Sequence, residues 1–270
     1  MSTFNTEIIK GQRFEFGKNW QSFLSKLTEE RIRTAESSVQ EALQSETLSD
    51  KTVLDIGSGS GLFSLAARRL GAKVHSFDFD PASVSCAKLL RSRFFPNDPN
   101  WVIEEGSVLD EKYLNQLGKF DIVYSFGVLH HTGKMWTAIE NAASLVNLKG
   151  TLYIAIYNDQ GRKSRLWKKV KEFYCSGIFG KIIVSGIFIP YFFLRLLASS
   201  IIQGKNRFTE YKKNRGMSVI HDWIDWLGGY PFEVATIEEI FCFFSSRGWI
   251  LTNIKTTCNL GNNEFTFDRK

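Results

Sequence analysis

A glycine-rich turn holds the residues whose types and spacing most clearly indicate ligand binding. Residues 55–61 read DIGSGSG, an acid followed by three glycines at alternate positions, directly after an apolar run. Closely spaced glycines permit a tight turn and let backbone N–H groups approach a ligand closely. A dinucleotide fingerprint would need glycine where the chain has Leu62, and the GK[ST] of a phosphate-binding P-loop is absent. The turn therefore favours a ligand with a charged amine over a pyrophosphate.

Further polar side chains follow the later predicted strands. Asp78 ends the second strand, where a carboxylate can accept hydrogen bonds from both hydroxyls of a ribose. The fourth strand leads into His130 and His131, and the fifth ends at Tyr157. Since ligands of an open α/β sheet lie outside the carboxyl ends of the strands, we expect these side chains to share one rim. A histidine there can take a proton from a hydroxyl near neutral pH.

The elements that must position these residues alternate between strand and helix. Short apolar runs predict five strands, at 52–56, 72–79, 101–106, 120–126 and 151–157, with helices between them. Residues 18–47 also read as a helix, and Gly150 as the turn before the fifth strand. Near the C-terminus a helix capped by Thr236 ends before Gly248, and two strands joined through 261–263 follow. Such alternation implies parallel pairing with right-handed crossovers, hence an α/β, doubly wound sheet.

These motifs resemble those of class I S-adenosylmethionine (SAM)-dependent methyltransferases. The segment VLDIGSGSGLFSLAARRLGAKVHSFDFDP is similar to motif I and its continuation, and EEGSVLD and FDIVYSFGVLHHTGKM are similar to the later motifs. The group most similar includes the ubiquinone-biosynthesis O-methyltransferases. The resemblance spans about residues 50–157. It implies a Rossmann-like sheet of seven strands with an antiparallel last strand, SAM as the cofactor and methyl transfer as the activity.

The resemblance also implies roles for residues of the turn and of the neighbouring strand ends. The turn residues implied to contact or orient the cofactor are Asp55, Gly57, Ser58, Gly59 and Gly61. Asp78 would hold the ribose hydroxyls. Phe79 or Val108 would flank the adenine, and Ser107 would lie beside its exocyclic amine, where many relatives carry Asp. The backbone at Phe126 would pass near the methionine moiety.

Candidates for the catalytic base come from the same resemblance. His131 occupies the place where the quinone O-methyltransferases carry a histidine, so it is the first candidate. His130 is the second, and Tyr157 is a further polar side chain on that rim. The structural alternative is that one histidine packs under the following helix and the other only shapes the loop. A metal site of His130, His131 and Glu264 is an option that no ligand spacing demands, and no metal is predicted.

The positive charge of the chain is concentrated in one segment. The whole chain has a net charge of +6, yet residues 162–215 hold 13 basic and two acidic residues, a net +11. Within this segment, the 13 residues of 182–194 are uncharged and lie between Lys181 and Arg195. As a helix they are too short to span ~30 Å of hydrocarbon. They suit a membrane interface, with basic flanks that reach anionic headgroups.

Two other interpretations of this segment are open at the level of sequence. A helical lid whose apolar face packs on the Rossmann-like core explains the apolar run equally well. RNA binding is less favoured, because residues 182–194 are more apolar than a nucleic-acid-binding surface requires. No RNA-binding module is recognised in the sequence. Residues 222–235 are rich in Trp and Asp. They suit two roles: binding an acceptor that is a polar ring or a sugar, or packing a loop that returns to the sheet. Residues 13–20 are open to the same two interpretations.

The expected organisation is one α/β core with appended parts. These are an N-terminal helical cap (1–48), a SAM-binding core (49–160), an insertion (161–235) and a C-terminal helix and hairpin that complete the core (236–270). The expected function is SAM-dependent O-methylation of a small or lipid-linked acceptor, either quinone-like, a glycolipid or a sugar. A soluble natural-product methyltransferase with a buried lid and a SAM-binding protein that does not methylate are the alternatives.

The expected location is the cytoplasm, with attachment to the inner membrane face as an option. The four cysteines stand far apart, which predicts neither a disulfide framework nor a zinc site. The N-terminal residues lack the apolar core of a signal peptide, and no run reaches the length of a transmembrane helix. Nucleic acid is not an expected partner, and the oligomeric state is not predicted.

Overall fold

In a computed structural model of the chain, seven strands form one sheet in the order β3-β2-β1-β4-β5-β7-β6. The structure describes residues 3–17, 20, 24–25, 27–204 and 219–270. The strands are β1 (Thr52–Ile56), β2 (Lys73–Asp78), β3 (Trp101–Glu105), β4 (Phe120–Phe126), β5 (Val146–Tyr157), β6 (Trp249–Lys255) and β7 (Asn262–Arg269). Only β7 is antiparallel to its neighbours, β5 and β6. The predicted doubly wound, Rossmann-like sheet with an antiparallel last strand is confirmed.

Helices cover both faces of this sheet. Within the described residues they are α1 (Thr3–Ile9), α2 (Glu29–Leu43), α3 (Leu62–Arg69), α4 (Pro81–Phe94), α5 (Glu111–Leu117), α6 (Met135–Ser144), α7 (Arg162–Cys175), α8 (Ile178–Gln203), α9 (Val219–Gly228) and α10 (Ile237–Ser245), with a 3₁₀ turn at Leu129–His131. Buried Ile32, Leu65 and Leu90 pack α2, α3 and α4 on one face. Ile139 and Phe244 pack α6 and α10 on the other. This packing leaves the carboxyl ends of the parallel strands, with their polar residues, at one edge of the sheet.

Side-chain caps determine where two of these helices begin. Asp80 accepts a hydrogen bond from the Ala82 N–H, and Pro81 occupies the first turn of α4, where its missing N–H costs nothing. Thr236 and Glu239 form a reciprocal capping box at the start of α10, as expected for a threonine before an apolar helix. The predicted cap at Thr236 is confirmed.

The prediction of a helix over residues 18–47 is wrong in its extent. Residues 18, 19, 21–23 and 26 lie outside the described part of the chain. The helix that the structure describes, α2, begins after Thr28, whose backbone is extended (φ −114°, ψ 158°), and ends at Gln44, which is left-handed (φ 50°). Composition favoured helix throughout this region, but it could not show these two changes of backbone direction.

The start of β5 also differs from expectation. Gly150 was expected to precede the strand, yet β5 begins at Val146, because Val146 already pairs with Phe120 of β4. The Gly150 backbone passes so close to β4 that an added Cβ would lie 2.8 Å from the Asp121 carbonyl oxygen. This glycine ends an irregular stretch with a left-handed Lys149, and regular pairing with β4 resumes at Thr151, where the strand was expected to begin.

Residues between β5 and α10 form a helical subdomain with a small core of its own. Tyr174 of α7, Val184 of α8 and Leu227 of α9 are buried together. The Trp167 ring lies 4.1 Å from that of Trp226, measured between centroids. The second basic cluster of the sequence, 205–215, lies outside the described residues.

The length of α8 corrects the expectation that no apolar run is long enough to cross a membrane. Among the described helices, this 26-residue helix alone has the length and composition to do so. The sequence analysis ended the run at Lys181 and Arg195, but neither residue breaks a helix, and α8 continues past both. It also continues through Pro190.

Candidate functional site

A cavity of about 340 Å³ lies at the carboxyl ends of β1, β2 and β4, where the strand order reverses direction. Nine of the predicted site residues line it: Gly57, Gly59, Asp78, Phe79, Ser107, Val108, Phe126, His131 and Tyr157. Four others, Asp55, Ser58, Gly61 and His130, are not among the lining residues. The ends of different strands thus contribute to one cavity, as expected for an open α/β sheet.

The glycine turn needs its glycines for both conformation and space. Gly57 and Gly59 have φ values of +73° and +53°, a region that side chains disfavour. A Cβ on Gly57 would lie 2.4 Å from Val128 Cγ1, and one on Gly59 would lie 3.2 Å from the Trp20 ring. The Gly57 N–H donates to the Phe77 carbonyl oxygen at 2.8 Å, which holds the turn against β2. The backbone of the turn therefore faces the cavity without side chains.

Asp78 is placed to accept hydrogen bonds from a ligand. Its Oδ2 accepts from the Gly59 N–H at 2.8 Å, and its Oδ1 accepts from the Asp80 N–H at 2.9 Å. Burial raises the pKa of this carboxyl to about 6, although both N–H groups favour the charged form. Each oxygen of a carboxylate has a further lone pair, so the side chain can also accept from two hydroxyls.

Aromatic and aliphatic side chains form the wall beyond Asp78. The ring of Phe79 meets that of Phe4 edge to face at 5.6 Å between centroids. The Arg13 guanidinium lies 4.9 Å from the centroid of the Phe79 ring. Val108 and Ser107 line the same end of the cavity, and the Ser107 hydroxyl accepts from the Leu109 N–H at 3.2 Å. This end is suited to a flat, uncharged ring.

The N-terminal segment supplies site residues that the sequence analysis did not assign. Arg13, Phe14, Phe16 and Trp20 all line the cavity. Arg13 donates from Nε to Glu7 at 2.6 Å and from Nη1 to the His131 carbonyl oxygen at 3.0 Å. The only signal in the sequence was a group of aromatic and basic residues at 13–20 with no apolar period, which sequence reasoning left ambiguous.

Asp55 lies behind the glycine turn and contacts the core. Its carboxylate accepts a hydrogen bond from the Ser64 hydroxyl, which lies 2.8 Å from the Ser76 hydroxyl. Trp101 Nε1 in turn donates to the Ser76 oxygen at 2.9 Å. Burial raises the pKa of Asp55 to about 7, and the nearby negative Asp78 adds to the effect. In this position Asp55 links the end of β1, just before the glycine turn, to Ser64 of α3 just after it.

The ring of His131 is held in one tautomer. Its Nδ1 lies 2.6 Å from the Pro231 carbonyl oxygen, which can only accept, so Nδ1 carries the hydrogen and Nε2 carries the lone pair. Phe16 packs against the ring at 5.3 Å. Burial lowers the pKa of His131 to about 3, and the positive charges of Lys171 and Arg13 lower it further. The imidazole is therefore neutral at physiological pH and is a weak base.

His130 is more deeply buried than His131. Its Nδ1 accepts a hydrogen bond from the Tyr157 N–H at 3.3 Å, and its Nε2 has no hydrogen-bond partner among the described residues. Burial lowers its pKa well below the ordinary value for histidine. The Tyr157 ring lies 4.1 Å from that of His130, and Tyr157 itself lines the cavity. His130 thus packs behind the cavity wall.

The end of the insertion is joined to the histidine loop. The Glu233 N–H donates to the His130 carbonyl oxygen at 3.0 Å, and the Glu233 carboxylate accepts from the Met135 N–H at 3.0 Å. Lys171 is fully buried and donates to the Trp226 carbonyl oxygen. Burial lowers the pKa of Lys171 to about 7. The insertion therefore shapes both the position and the electrostatics of the histidines.

Two further polar residues complete the cavity. Asn262, at the start of β7, lines it, and its Oδ1 is buried without a hydrogen-bond partner among the described residues. Asp225 of α9 also lines it. An unpaired amide oxygen and a carboxylate suit a charged amine, the ligand group that the glycine turn favours. Asp225 lies in the segment 222–235, which the sequence left open between an acceptor site and loop packing.

Glu264, the third member of the optional metal site, contacts a different part of the molecule. Its carboxylate accepts a hydrogen bond from the Tyr153 hydroxyl at 2.8 Å. It lines a second cavity of about 300 Å³ between α2 and the sheet. Phe126 lines both cavities.

Known proteins with similar sequences include methyltransferases. Residues 47–216 match a family described as a methyltransferase domain. A ubiquinone biosynthesis O-methyltransferase from Xanthomonas campestris is 33% identical over 106 residues, which cover 39% of this chain and 43% of that protein. A ribosomal protein L11 methyltransferase from Anoxybacillus flavithermus is 50% identical over 50 residues, which cover 18% and 16%. The match thus spans less than half the length of either relative.

Solved structures share the fold. Magnesium protoporphyrin IX methyltransferase from Synechocystis PCC 6803, with bound SAH, superposes with a TM-score of 0.54 at 15% identity, over 89% of this chain and 84% of that one. A putative methyltransferase in complex with the Haloferax volcanii Trm112 activator also superposes with a TM-score of 0.54, at 12% identity, over 95% and 96%. At these identities the likeness establishes the architecture.

The buried Asp55 contributes to stability a free energy that falls as the pH rises from about 4 to about 7. Its pKa is about 7 in the folded chain and about 3.9 when unfolded, so the folded state binds the proton more tightly. This contribution falls by on the order of a few kcal/mol across the window, whereas the lowered pKa values of His130 and His131 contribute with the opposite sign. Asp55→Asn should therefore make the slope of the free energy of unfolding against pH more positive than in the wild type, measured by urea denaturation at several pH values.

A matched carboxyl serves as the control for this prediction. Asp98 is paired with Arg68 at 2.6 Å, and its pKa is lowered. Its stabilising effect is present above the unfolded pKa and is lost only at lower pH, so Asp98→Asn should leave the slope between pH 5 and 7 unchanged. An Asp55→Asn variant with the wild-type slope would contradict the assignment of Asp55 as the source.

Proposed function

The chain belongs to the methyltransferase-domain family, whose cofactor is SAM, and from this premise we propose that it methylates a hydroxyl oxygen of a small or lipid-linked acceptor. A single observation carries the proposal. One cavity joins the glycine turn and Asp78 to the neutral imidazole of His131 and the phenol of Tyr157. A cofactor site and a proton acceptor thus border the same space.

The cavity residues fit SAM, which supplies an electrophilic methyl group on its sulfonium. The turn at Gly57 and Gly59 admits the cofactor close to the backbone, and Asp78 accepts from the ribose hydroxyls. Asn262 and Asp225 are suited to the charged amine of the methionine moiety, and Phe79 and its neighbours to the adenine. Methyl transfer is an in-line displacement, so alignment and a deprotonated acceptor are the main requirements.

His131 is the proposed proton acceptor. The hydrogen bond to the Pro231 carbonyl oxygen orients the ring and leaves the Nε2 lone pair available for the proton of the acceptor hydroxyl. Once the methyl group is bonded to that oxygen, the proton on Nε2 can pass to solvent. Tyr157, on the same wall, is suited to hold the acceptor by a hydrogen bond. His130 is proposed as a support for this wall, because it is fully buried behind it.

The weak basicity of His131 favours an acidic hydroxyl as the acceptor. A base with a pKa of about 3 gives little driving force for removing a proton from an ordinary alcohol. A phenolic hydroxyl, with a pKa of about 10, is far more acidic than the hydroxyl of a sugar. The chemistry therefore favours the quinone-like acceptors over the sugar and glycolipid acceptors also expected from the sequence. The aromatic wall of Phe14, Phe16 and Tyr157 suits a ring of this kind.

Replacing Asp78 by alanine should weaken cofactor binding by about ten- to a hundredfold. The change removes charge-assisted hydrogen bonds worth ~1.5–3 kcal/mol. Calorimetric titration with SAM and with S-adenosylhomocysteine measures the effect. Asp268→Ala is the control, since Asp268 accepts a hydrogen bond from Thr151 in the middle of β5, and neither residue lines the cavity. Wild-type affinity in Asp78→Ala would mean that the ribose is bound elsewhere.

His131→Asn should lower turnover by roughly 10²- to 10⁴-fold while the affinity for SAM changes little. The asparagine amide can still donate to the Pro231 carbonyl oxygen, but it has no basic nitrogen in place of Nε2. Single-turnover rates with a phenolic acceptor, beside calorimetry with SAM, separate the two effects. His75→Asn, at a histidine of β2 outside the cavity, should leave the rate unchanged. Full activity in His131→Asn would remove His131 as the base.

An acceptor panel should separate phenols from aliphatic alcohols. With SAM present, catechols and hydroquinones are expected to yield O-methylated products detectable by mass spectrometry, and simple hexoses are not. Methylation of hexoses alone would contradict the preference for an acidic hydroxyl but leave methyl transfer itself in place. Saturable SAM binding with no methylated product from any acceptor would instead support a SAM-binding protein that does not methylate.

A further inference from the structure

The outer face of α8 is a continuous apolar surface on the outside of the molecule. Large apolar side chains that are 40% to 83% exposed on this helix are Ile178, Phe179, Ile182, Ile183, Ile187, Tyr191, Leu194, Leu197, Ile201 and Ile202. These residues, called the outer face from here on, are spread over about 240° of the helix circumference at ~100° per residue, so they cover the sides of α8 that do not pack on the rest of the insertion. An exposed apolar surface of this extent marks an interaction site in a soluble chain.

We infer that this outer face docks the protein on an anionic lipid bilayer, with α8 lying in the plane of the membrane surface. The inference goes beyond the proposed function, because it concerns a surface outside the cavity and needs no step of methyl transfer.

The opposite side of α8 is already occupied by the rest of the insertion. The Phe188 ring lies 4.9 Å from Trp167 of α7, and the Phe192 ring lies 5.6 Å from Trp223 of α9. Val184 is buried in the same cluster. The main packing of α8 is thus against α7 and α9, whereas the lid alternative would bury its apolar face on the Rossmann-like core. The outer face lies on the remaining circumference of α8 and is exposed to solvent.

The exposed charge of the same subdomain complements an anionic surface. The neighbouring helix α7 carries five exposed basic side chains, Arg162, Lys163, Arg165, Lys168 and Lys169, against the exposed acid Glu172. The only charged residues in α8 are Lys181 and Arg195. An apolar strip flanked by cations is the pattern of helices that lie at the headgroup boundary of anionic membranes.

Packing against α7 argues against a membrane-spanning orientation. The 26 residues of α8 extend for about 39 Å at ~1.5 Å per residue, enough to cross a bilayer. Trp167 contacts Phe188 near the middle of α8, so a spanning helix would carry Lys168 and Lys169 into the centre of the hydrocarbon. Charged side chains are strongly disfavoured there. An in-plane helix avoids this cost, because α7 then lies on the water side of α8.

The same charges disfavour the other candidate occupants. A second copy packed on the outer face would bring Lys181 and Arg195 of both copies to one interface with no acidic residue of α8 to pair them, and like charges at an interface repel. RNA would satisfy the basic side chains but would leave the apolar outer face exposed to water. A bilayer of anionic lipids satisfies both the charge and the apolar surface.

Flotation of the full chain with lipid vesicles, in the absence of SAM, tests the inference. The wild-type protein should float with vesicles of equal parts phosphatidylglycerol and phosphatidylcholine, and much less with phosphatidylcholine alone or in high salt. The triple variant Ile183→Glu, Ile187→Glu and Leu194→Glu should bind at least about tenfold more weakly, because burying a carboxylate in lipid is unfavourable. Leu148→Glu and Ile250→Glu, at exposed apolar residues of the sheet, should float like the wild type.

Two further measurements keep the result interpretable. Calorimetry with SAM should give the triple variant wild-type affinity, which shows that the core is folded. Loss of vesicle binding with SAM affinity intact therefore supports docking without reference to methyl transfer. A fluorophore at Tyr191→Cys, with Cys242 and Cys258 replaced by serine, should be quenched most by lipid labels near the headgroup boundary. Strongest quenching by labels at the bilayer centre would overturn the in-plane orientation.

Several outcomes would overturn the docking itself. One is a wild-type protein that stays at the bottom of the gradient with anionic vesicles. Another is a triple variant that floats as well as the wild type. A lipid-free dimer that the triple variant dissociates, with no vesicle binding, would assign the outer face to a second copy. Binding to RNA in place of vesicles would assign the basic side chains to nucleic acid.

Discussion

The close approach of the turn after β1 to the loop after β4 is the constraint on which the site depends. Gly57 and Val128 lie so near each other that a single added carbon would come within 2.4 Å of a Val128 methyl group. This approach places the cofactor turn beside the loop that carries His131. It exists because β1 and β4 are parallel neighbours and the chain leaves both at the same edge. A bulkier turn would separate the proposed electrophile from the proposed base.

Two segments outside the core converge on this loop from opposite directions. Arg13 of the N-terminal segment donates to the His131 carbonyl oxygen, while Pro231 of the insertion accepts from the His131 ring. Both segments also bring positive charge close to the histidines, through Arg13 and the buried Lys171. Neighbouring cations disfavour a protonated imidazole. Burial is the main cause of the low pKa of His131, and the cations of the appended segments add to it.

The fold, and the strand ends that border the cavity, could be predicted from the sequence because their signals are local. The strand runs, the Thr236 cap and the glycine turn each depend on a few adjacent residues. The contributions of Phe4, Arg13 and Asp225 could not be predicted, since each reaches the cavity only through tertiary packing. The full length of α8 was missed for a different reason: isolated charges at its flanks ended an apolar run without ending a helix.

The helix α9 connects the outer face of α8 with the cavity. Trp223 and Trp226, three positions apart, lie on one side of α9 and pack against Phe192 and Trp167. Asp225 lies about 200° from Trp223 around the same helix at ~100° per residue, and it lines the cavity. The packed helices α8 and α9 thus separate the surface proposed to contact lipid from the site proposed to methylate. A lipid-linked acceptor drawn from that surface would need to pass both helices, and α9 is the one that carries a residue of the cavity wall.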